Sequence, residues 1–245
     1  VTPAEGARRI VPLIDLTDLS NGLDEPGVER LCARAVTPLG PVAAVCLWAG
    51  FVPQARRLLR DTGIRVATVV NFPAGEADVM RAADEARYAM LDGADEIDVV
   101  MPWRALAAGQ AEVVGALLGA VKAVMPPGRT LKVILETGEL DKPGLIRQAA
   151  RIAIGTGADF IKTSTGRTAV SATPEAVRIM LEEIRSAGRP VGIKPSGGIR
   201  TPADARTYLD LADAIMGPDW ASPGTFRFGA SGLLDACLDA AGAAP

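Results

Sequence analysis

Five lysines, Lys122, Lys132, Lys142, Lys162 and Lys194, are all that this chain carries, and arginine supplies the rest of its 26 basic residues. With arginine meeting most surface needs, a lysine that closes an apolar run stands out. Lys162 ends Asp159-Phe160-Ile161-Lys162, ahead of Thr163-Ser164-Thr165-Gly166. Lys194 ends Val191-Gly192-Ile193-Lys194, ahead of Pro195-Ser196-Gly197-Gly198. If both enter one pocket, two ammonium groups about 4 Å apart repel by roughly 4 kcal/mol at an effective dielectric near 20. That lowers one of the two by about 3 pKa units, which frees an amine to attack a carbonyl and form an imine. The alternative is that each lysine pairs with a carboxylate inside the fold. A third lysine in an apolar run, Lys132, favours chemistry.

Asp98 lies in Glu96-Ile97-Asp98-Val99-Val100, where alternation puts it on one face with Glu96 and Val100. Among lysines it has two readings: an acid/base that moves protons through water, or the carboxylate of a plain salt bridge. Cys46, in Val45-Cys46-Leu47, reads as a small packed hydrophobe. The chain has no histidine. That removes Ser-His-Asp and Cys-His nucleophile pairs, HExxH zinc sites and histidine bases together. Three glycine-bearing turns, at Gly166, at Gly197-Gly198 and at Gly229-Ala230-Ser231-Gly232, can bring backbone N–H groups and the Ser231 hydroxyl onto an anion.

These side chains need a scaffold that gathers strand ends. Short apolar runs at Val42–Trp48, Arg65–Asn71, Glu96–Met101, Thr130–Glu136, Asp159–Thr163, Val191–Lys194, Ala214–Met216 and Thr225–Phe228 read as eight strands. Helical spacing marks an opening helix near 26–36, then Glu76–Leu91, Arg104–Val124, Pro174–Ala187 and Pro202–Ala212. Pro174 and Pro202 each follow a threonine, the N-cap and N1 pairing of a helix start. Residues 1–25 read as an N-terminal segment. Strands alternating with helices predict a (β/α)8 TIM barrel with an additional N-terminal helix, a single domain over 1–245. An open doubly wound sheet is the second choice, disfavoured because no GxGxxG follows the first strand. On this count Lys162 and Lys194 end the fifth and sixth strands, and polar residues at strand ends (Asn71 and Glu136 among them) face the barrel's catalytic mouth.

Length and composition agree. The 245 residues match a one-domain barrel, typically about 250. Hydrophobic residues reach 49% with only 4% aromatic, so aliphatic side chains must fill the core, as parallel strands buried on both faces require. A net charge of -3 without a basic block argues against a nucleic-acid partner. Cys32, Cys46 and Cys237 form neither a disulfide framework nor a thiolate metal site, which fits a reducing cytosol. With no secretory signal pattern and no apolar run long enough for a bilayer, a soluble cytoplasmic protein without a membrane partner is expected.

The segments Leu13-Ile14-Asp15-Leu16-Thr17, Asn71-Phe72-Pro73, Asp95 to Val100, Leu135-Glu136-Thr137-Gly138-Glu139-Leu140, Lys162 to Gly166, Ile193 to Gly198 and Arg227 to Ser231 resemble the deoxyribose-phosphate aldolases, in order from about Val11 to Leu238. The resemblance implies a lyase, a class I aldolase with no metal and no cofactor. It would reversibly cleave 2-deoxy-D-ribose 5-phosphate to D-glyceraldehyde 3-phosphate and acetaldehyde, a step of deoxyribonucleotide catabolism and carbohydrate degradation. By position it makes Lys162 the Schiff-base nucleophile, Lys194 the partner that lowers its pKa, and Asp98 the acid/base. Asp15, Thr17 and Lys132 become substrate-hydroxyl or supporting contacts, and Cys46 lies near the site without entering the chemistry. Gly166, Arg167, Gly197, Gly198 and Ser231 become the phosphate site, and the assembly a homodimer or homotetramer. Arg167 stands where such proteins often have lysine, which keeps charge but alters reach. Gly232 replaces a second serine. The sequence ends at Pro245 and has only Tyr88 and Tyr208, so the terminal tyrosine of such proteins has no counterpart and proton transfer would rest on Asp98 and water. Two rivals make different predictions: a non-covalent sugar-phosphate isomerase would resist borohydride, and a non-catalytic sugar-phosphate-binding barrel would release no acetaldehyde.

Overall fold

Why the strands must close on themselves follows from their burial. Glu96–Val100 is buried at every position, and Ala44–Leu47, Phe160–Lys162 and Gly192–Lys194 likewise, so neither face of the sheet can meet water. The computed structural model, which describes residues 2–243, satisfies this with eight parallel strands. In barrel order they are Ile14–Thr17, Ala44–Leu47, Arg65–Val70, Glu96–Val100, Thr130–Ile134, Phe160–Lys162, Gly192–Lys194 and Phe228–Ala230. Each pairs with its sequence neighbour, the eighth returns to the first, and bridges Ile193↔Phe226 and Ser196↔Gly229 close the gap between the seventh and eighth. The expected (β/α)8 TIM barrel is therefore the fold.

The strand count needs correcting at both ends. Residues 1–25 are not a featureless segment. Within them lie a helix, Pro3–Ile10, and the true first strand, Ile14–Thr17. Thr2 caps that helix with a reciprocal Glu5 contact and Pro at its start, and its buried Ala7 and Ile10 face the barrel's outer helices. This is the additional N-terminal helix. The helix expected near 26–36, Glu25–Arg34, is instead the crossover after the first strand. At the other end Ala214–Met216 is no strand. It is the last turn of Pro202–Met216, which runs past Ala212 until Gly217 at φ 103°. Lys162 and Lys194 thus end the sixth and seventh strands, and the three glycine turns follow strands six, seven and eight, which are adjacent. The long helix expected over Arg104–Val124 divides into Trp103–Ala107 and Ala111–Val124 around Gly109 at φ 84°.

Aliphatic side chains fill the space between strands and helices, with Ile97, Val99, Leu131, Val133, Ile161 and Ile193 fully buried. Inside the barrel the core is ionic: Lys132 and Lys194 are the largest fully buried side chains. Among the described residues no helix is long and apolar enough to cross a membrane. Pro245, on which the expectation about a terminal tyrosine falls, lies outside the described residues. Tyr208 is buried in its helix and donates to the Ala172 carbonyl at 3.0 Å.

Candidate active site

Strand register brings the charged side chains together. Asp98 lies opposite Lys132 on strands four and five, and Lys162 opposite Lys194 on strands six and seven. Asp98 is the hub: its Oδ1 accepts from Lys132 at 2.8 Å, while its Oδ2 accepts from both Lys162 at 2.9 Å and Lys194 at 2.7 Å. The two lysine nitrogens are thus no farther apart than two hydrogen bonds meeting at one oxygen. Lys194 also donates to Asp15 Oδ2 at 2.5 Å, and Lys132 to Glu96 Oε2 at 2.5 Å. Arg227 completes the set, with Asp15 Oδ1 at 2.6 Å and Glu96 Oε1 at 3.1 Å. Four cations and three carboxylates share this water-poor interior.

Unpaired charge is expensive there, so the excess of one cation puts pressure on one amine to be neutral. Lys162 is the weakest-held. Among the described residues it touches one carboxylate, whereas Lys194 touches two and Lys132 three. Burial pushes Lys162 below the usual lysine range, the nearby Lys194 ammonium adds to this, and Asp98 opposes it without prevailing. Burial acts on Lys194 and Lys132 in the same sense, but the carboxylates of Asp15 and Asp98, joined by Glu96 at Lys132, outweigh it and raise both. Burial likewise pushes Asp98 up, yet its three lysines hold it well below the carboxylate range. Of the two readings of Asp98, the salt bridge is what the geometry shows, to three lysines rather than one. Like-charge repulsion from Lys194, the cause expected from sequence, is real but ranks behind burial.

Above this layer is a cavity of 560 Å³ at the carboxyl ends of the strands, where barrel chemistry takes place. Thr17, Lys162, Gly166, Arg167, Gly197, Gly198 and Ser231 line it. Of the three lysines on Asp98 only Lys162 reaches this space: it keeps 4% of its surface exposed, and Lys132 and Lys194 keep none. Asp15, Asp98, Lys132, Lys194 and Cys46 lie beneath the floor. Cys46 is fully buried beside Leu19, Ala67 and Val69, with Trp48 and Phe72 against them, and burial together with Asp98 pushes its thiol up. It packs as a small hydrophobe beneath the site.

The turns around the cavity are tied to one another. Thr163 Oγ1 accepts from the Ser196 N–H at 3.0 Å, and Gly229 N–H donates to Pro195 O at 3.0 Å. Gly166, Gly197 and Gly198 all hold left-handed backbone, with φ 76°, 84° and 78°. A Cβ on Gly197 would come within 2.4 Å of Ser171 Oγ, and one on Gly229 within 2.1 Å of Ser196 Oγ. Arg167 crosses the opening, where its guanidinium donates to the Leu19 carbonyl and stands 6.0 Å from the Phe72 ring. Thr17 Oγ1 donates to the Asp15 carbonyl at 2.9 Å.

Two strand-end residues turn out to be scaffolding. Asn71 ties loops by donating to the Glu76 and Val100 carbonyls. Glu136, at φ 56°, accepts from the Thr165 N–H and hydroxyl and so fixes the Gly166 turn. Arg227 was quoted in the sequence only as the start of a matching segment and given no role: it sits among many arginines, just before strand eight, and its burial is what singles it out. Glu96 was noticed only for sharing a face with Asp98. A larger cavity, 760 Å³, lies at the opposite end of the barrel; Glu96 and Arg227 reach it but Lys162 does not.

Comparison with known proteins agrees with this geometry. Residues 11–238 match the model of the DeoC/LacD family of aldolases. The chain is 51% identical over 238 residues to a deoxyribose-phosphate aldolase of Agrobacterium fabrum strain C58, covering 97% of this chain and 92% of the relative. Among solved structures, one from Toxoplasma gondii ME49, provisionally named a deoxyribose-phosphate aldolase, superposes with a TM-score of 0.90 at 30% identity, covering 98% of this chain and 97% of the other. The deoxyribose phosphate aldolase of Aeropyrum pernix, described as a unique tetramer, superposes with a TM-score of 0.75 at 25% identity, covering 98% and 91%.

Proposed function

This chain belongs to the DeoC/LacD family of aldolases, and on that premise we propose that it is a class I deoxyribose-phosphate aldolase whose nucleophile is Lys162. The observation that carries the assignment is that, of the three lysines bound to Asp98, Lys162 alone reaches the mouth cavity and alone is held below the usual lysine range. The substrate is the open-chain aldehyde of 2-deoxy-D-ribose 5-phosphate, and the products are D-glyceraldehyde 3-phosphate and acetaldehyde.

The neutral Lys162 amine attacks the aldehyde carbon, and loss of water leaves a protonated imine. The proton of the hydroxyl on C3 passes through water to Asp98, the C2–C3 bond breaks, and its electron pair enters the imine to give an enamine. Glyceraldehyde 3-phosphate departs, the enamine carbon takes back through water the proton received at Asp98, and water hydrolyses the resulting protonated imine to acetaldehyde and free Lys162, with release of one proton. Lys194 remains an ammonium throughout, which disfavours a second cation at Lys162 before substrate arrives. Asp15 and Lys132 hold Lys194 and Asp98 in place, and Thr17 offers a hydroxyl to the sugar. The backbone of Gly166, Gly197 and Gly198, the Ser231 hydroxyl and the Arg167 charge receive the phosphate. The exposed row Met80, Tyr88 and Leu91 on one helix supports assembly into a homodimer or homotetramer, and the cytoplasm is the compartment that suits its free cysteines.

Borohydride added with acetaldehyde tests the reading. Mass spectrometry should find the reduced two-carbon adduct on Lys162, and a coupled dehydrogenase assay should lose acetaldehyde release in Lys162→Ala. An adduct elsewhere, or none, overturns the assignment.

A further inference from the structure

The buried ions extend well past the residues that serve substrate. From Lys162 at the mouth they run through Asp98 to Lys194 and Lys132, then through Asp15 and Glu96 to Arg227, which with Glu96 lines the cavity at the opposite end. Arg227 is almost fully buried. It is fixed further by the Pro223 carbonyl at 2.5 Å and by the Phe160 ring 5.5 Å away. Arg227 thus ties both carboxylates to the lysines: Asp15 gives Oδ1 to Arg227 and Oδ2 to Lys194, while Glu96 accepts from Arg227 at both oxygens, Oε1 at 3.1 Å and Oε2 at 3.4 Å, and shares Oε2 with Lys132. Neither Arg227 nor Glu96 borders the mouth cavity.

We propose that Arg227 and Glu96 are positioning residues for the aldol reaction, which act from the far end of the barrel by holding the ion cluster at the charge that leaves Lys162 a free amine. The proposal rests on the reading of Lys162 as nucleophile. With Lys162 neutral, the three remaining cations balance the three carboxylates; with Lys162 protonated, one positive charge is in excess in a medium that screens it poorly. Removal of either distal charge changes that balance, and the two removals act in opposite senses. Without the Arg227 charge, Asp15 and Glu96 are under-compensated, an ammonium at Lys162 restores neutrality, and the amine is lost. Without the Glu96 charge, the cluster is already positive when Lys162 is neutral, and protonation is harder still.

The other charged or titratable groups near Lys162 do not reproduce this pattern. Cys46 is a buried thiol, and Asp18, Arg34, Arg167 and Arg200 share the solvated mouth, where charges are screened. Around Arg227, Lys122 and Arg129 are engaged with Asp159 and Asp95, and Arg65 is exposed.

The test is the pH dependence of kcat/KM for deoxyribose 5-phosphate cleavage, whose acid limb reports the free enzyme. The parent must first trap acetaldehyde on Lys162, which keeps failure of the aldolase reading separate from failure of this one. In Arg227→Gln the acid limb should move up by about 1 to 2 pH units, and in Glu96→Gln down by a similar amount, the reach of one unit charge at an effective dielectric near 20. The double variant, balanced in charge, should return close to the parent, and Arg227→Lys should stay close to it. A merely structural role would lower kcat and stability and leave the limb where it was. Limbs that stay fixed, or that move in the same direction in both single variants, overturn the proposal. Should Arg227→Gln fail to fold, Glu96→Gln decides alone: a downward shift supports the proposal and any other result rejects it.

Discussion

Replacing Lys194 with methionine, which keeps most of the side-chain volume and removes the charge, is the sharpest test of the proposal that Lys194 helps to keep Lys162 free of its proton. Two hydrogen bonds to one oxygen, 2.9 and 2.7 Å long, place the ammonium groups about 4.5 Å apart, where unit charges interact by roughly 3.7 kcal/mol at an effective dielectric near 20. Loss of that repulsion raises Lys162 by about 2.7 pKa units. The change is cheap for the fold, because the variant cluster balances three cations against three carboxylates once Lys162 takes the proton. The expected result is therefore a folded protein whose kcat/KM at neutral pH is lower by several hundred-fold. Activity should climb with pH, tenfold per unit, until it nears the parent in alkaline solution. The assay is acetaldehyde release at low substrate from pH 6 to 10, with circular dichroism to confirm folding. A loss of equal size at every pH would refute the reasoning, since it would mean that Lys194 acts on substrate or on geometry and not on the protonation of Lys162.

Two further outcomes follow from the packing and the charges of the barrel interior. Gly229→Ala places a methyl 2.1 Å from Ser196 Oγ and 3.1 Å from Lys194 Cε. It should cost about 1–3 kcal/mol of stability, as overpacking does, and reduce activity; Ser196→Gly in the same chain should recover most of the stability in urea titrations. Acid should also weaken the fold in a defined window. Although burial pushes Asp98 and Asp15 up, their buried cations hold both below the carboxylate range. The unfolded chain therefore binds protons first, and stability present above about pH 4 is lost as pH falls through the folded values. Denaturant midpoints between pH 6 and 3 should show this slope, and Asp98→Asn should flatten it; an unchanged slope in that variant would count against Asp98 as the hub.

What could be read from the residues was the part that breaks a local rule. Lys162 and Lys194 were legible because a scarce charged side chain ends an apolar run, and the glycine turns because three of them follow late strands. Ile14–Thr17 was hidden for the converse reason: four residues containing an aspartate offer too short an alternation to register as a strand. Ala214-Ile215-Met216 misled because an apolar triplet is equally a strand or the buried end of a helix, and only Gly217 at φ 103° marks where the chain turns. The shift in strand count moved Lys162 and Lys194 together, so their adjacency survived the error. Arg227 opens a segment that carries the family resemblance, yet nothing in its residue type gave it a role. One buried guanidinium among many exposed ones differs in surroundings, not in sequence.

The charge count also explains why the imine proposed at Lys162 would suit this barrel. When the protonated imine forms, the cluster passes from balance to one excess positive charge, in a place where Lys194 already makes a second cation costly. Carbon–carbon cleavage sends an electron pair into that imine and moves the excess charge off Lys162; the cluster total is unchanged, because the substrate proton has gone to Asp98. The surroundings that deprive Lys162 of its proton at rest therefore also favour the electron-accepting step, without any group having to move. Asp98 links the two effects, since among the described residues it is the one carboxylate that touches Lys162, and a proton taken from substrate toward Asp98 leaves Lys162 with weaker support for its positive charge. Nucleophile and electron sink are thus one nitrogen, governed by a balance set along the whole interior of the barrel.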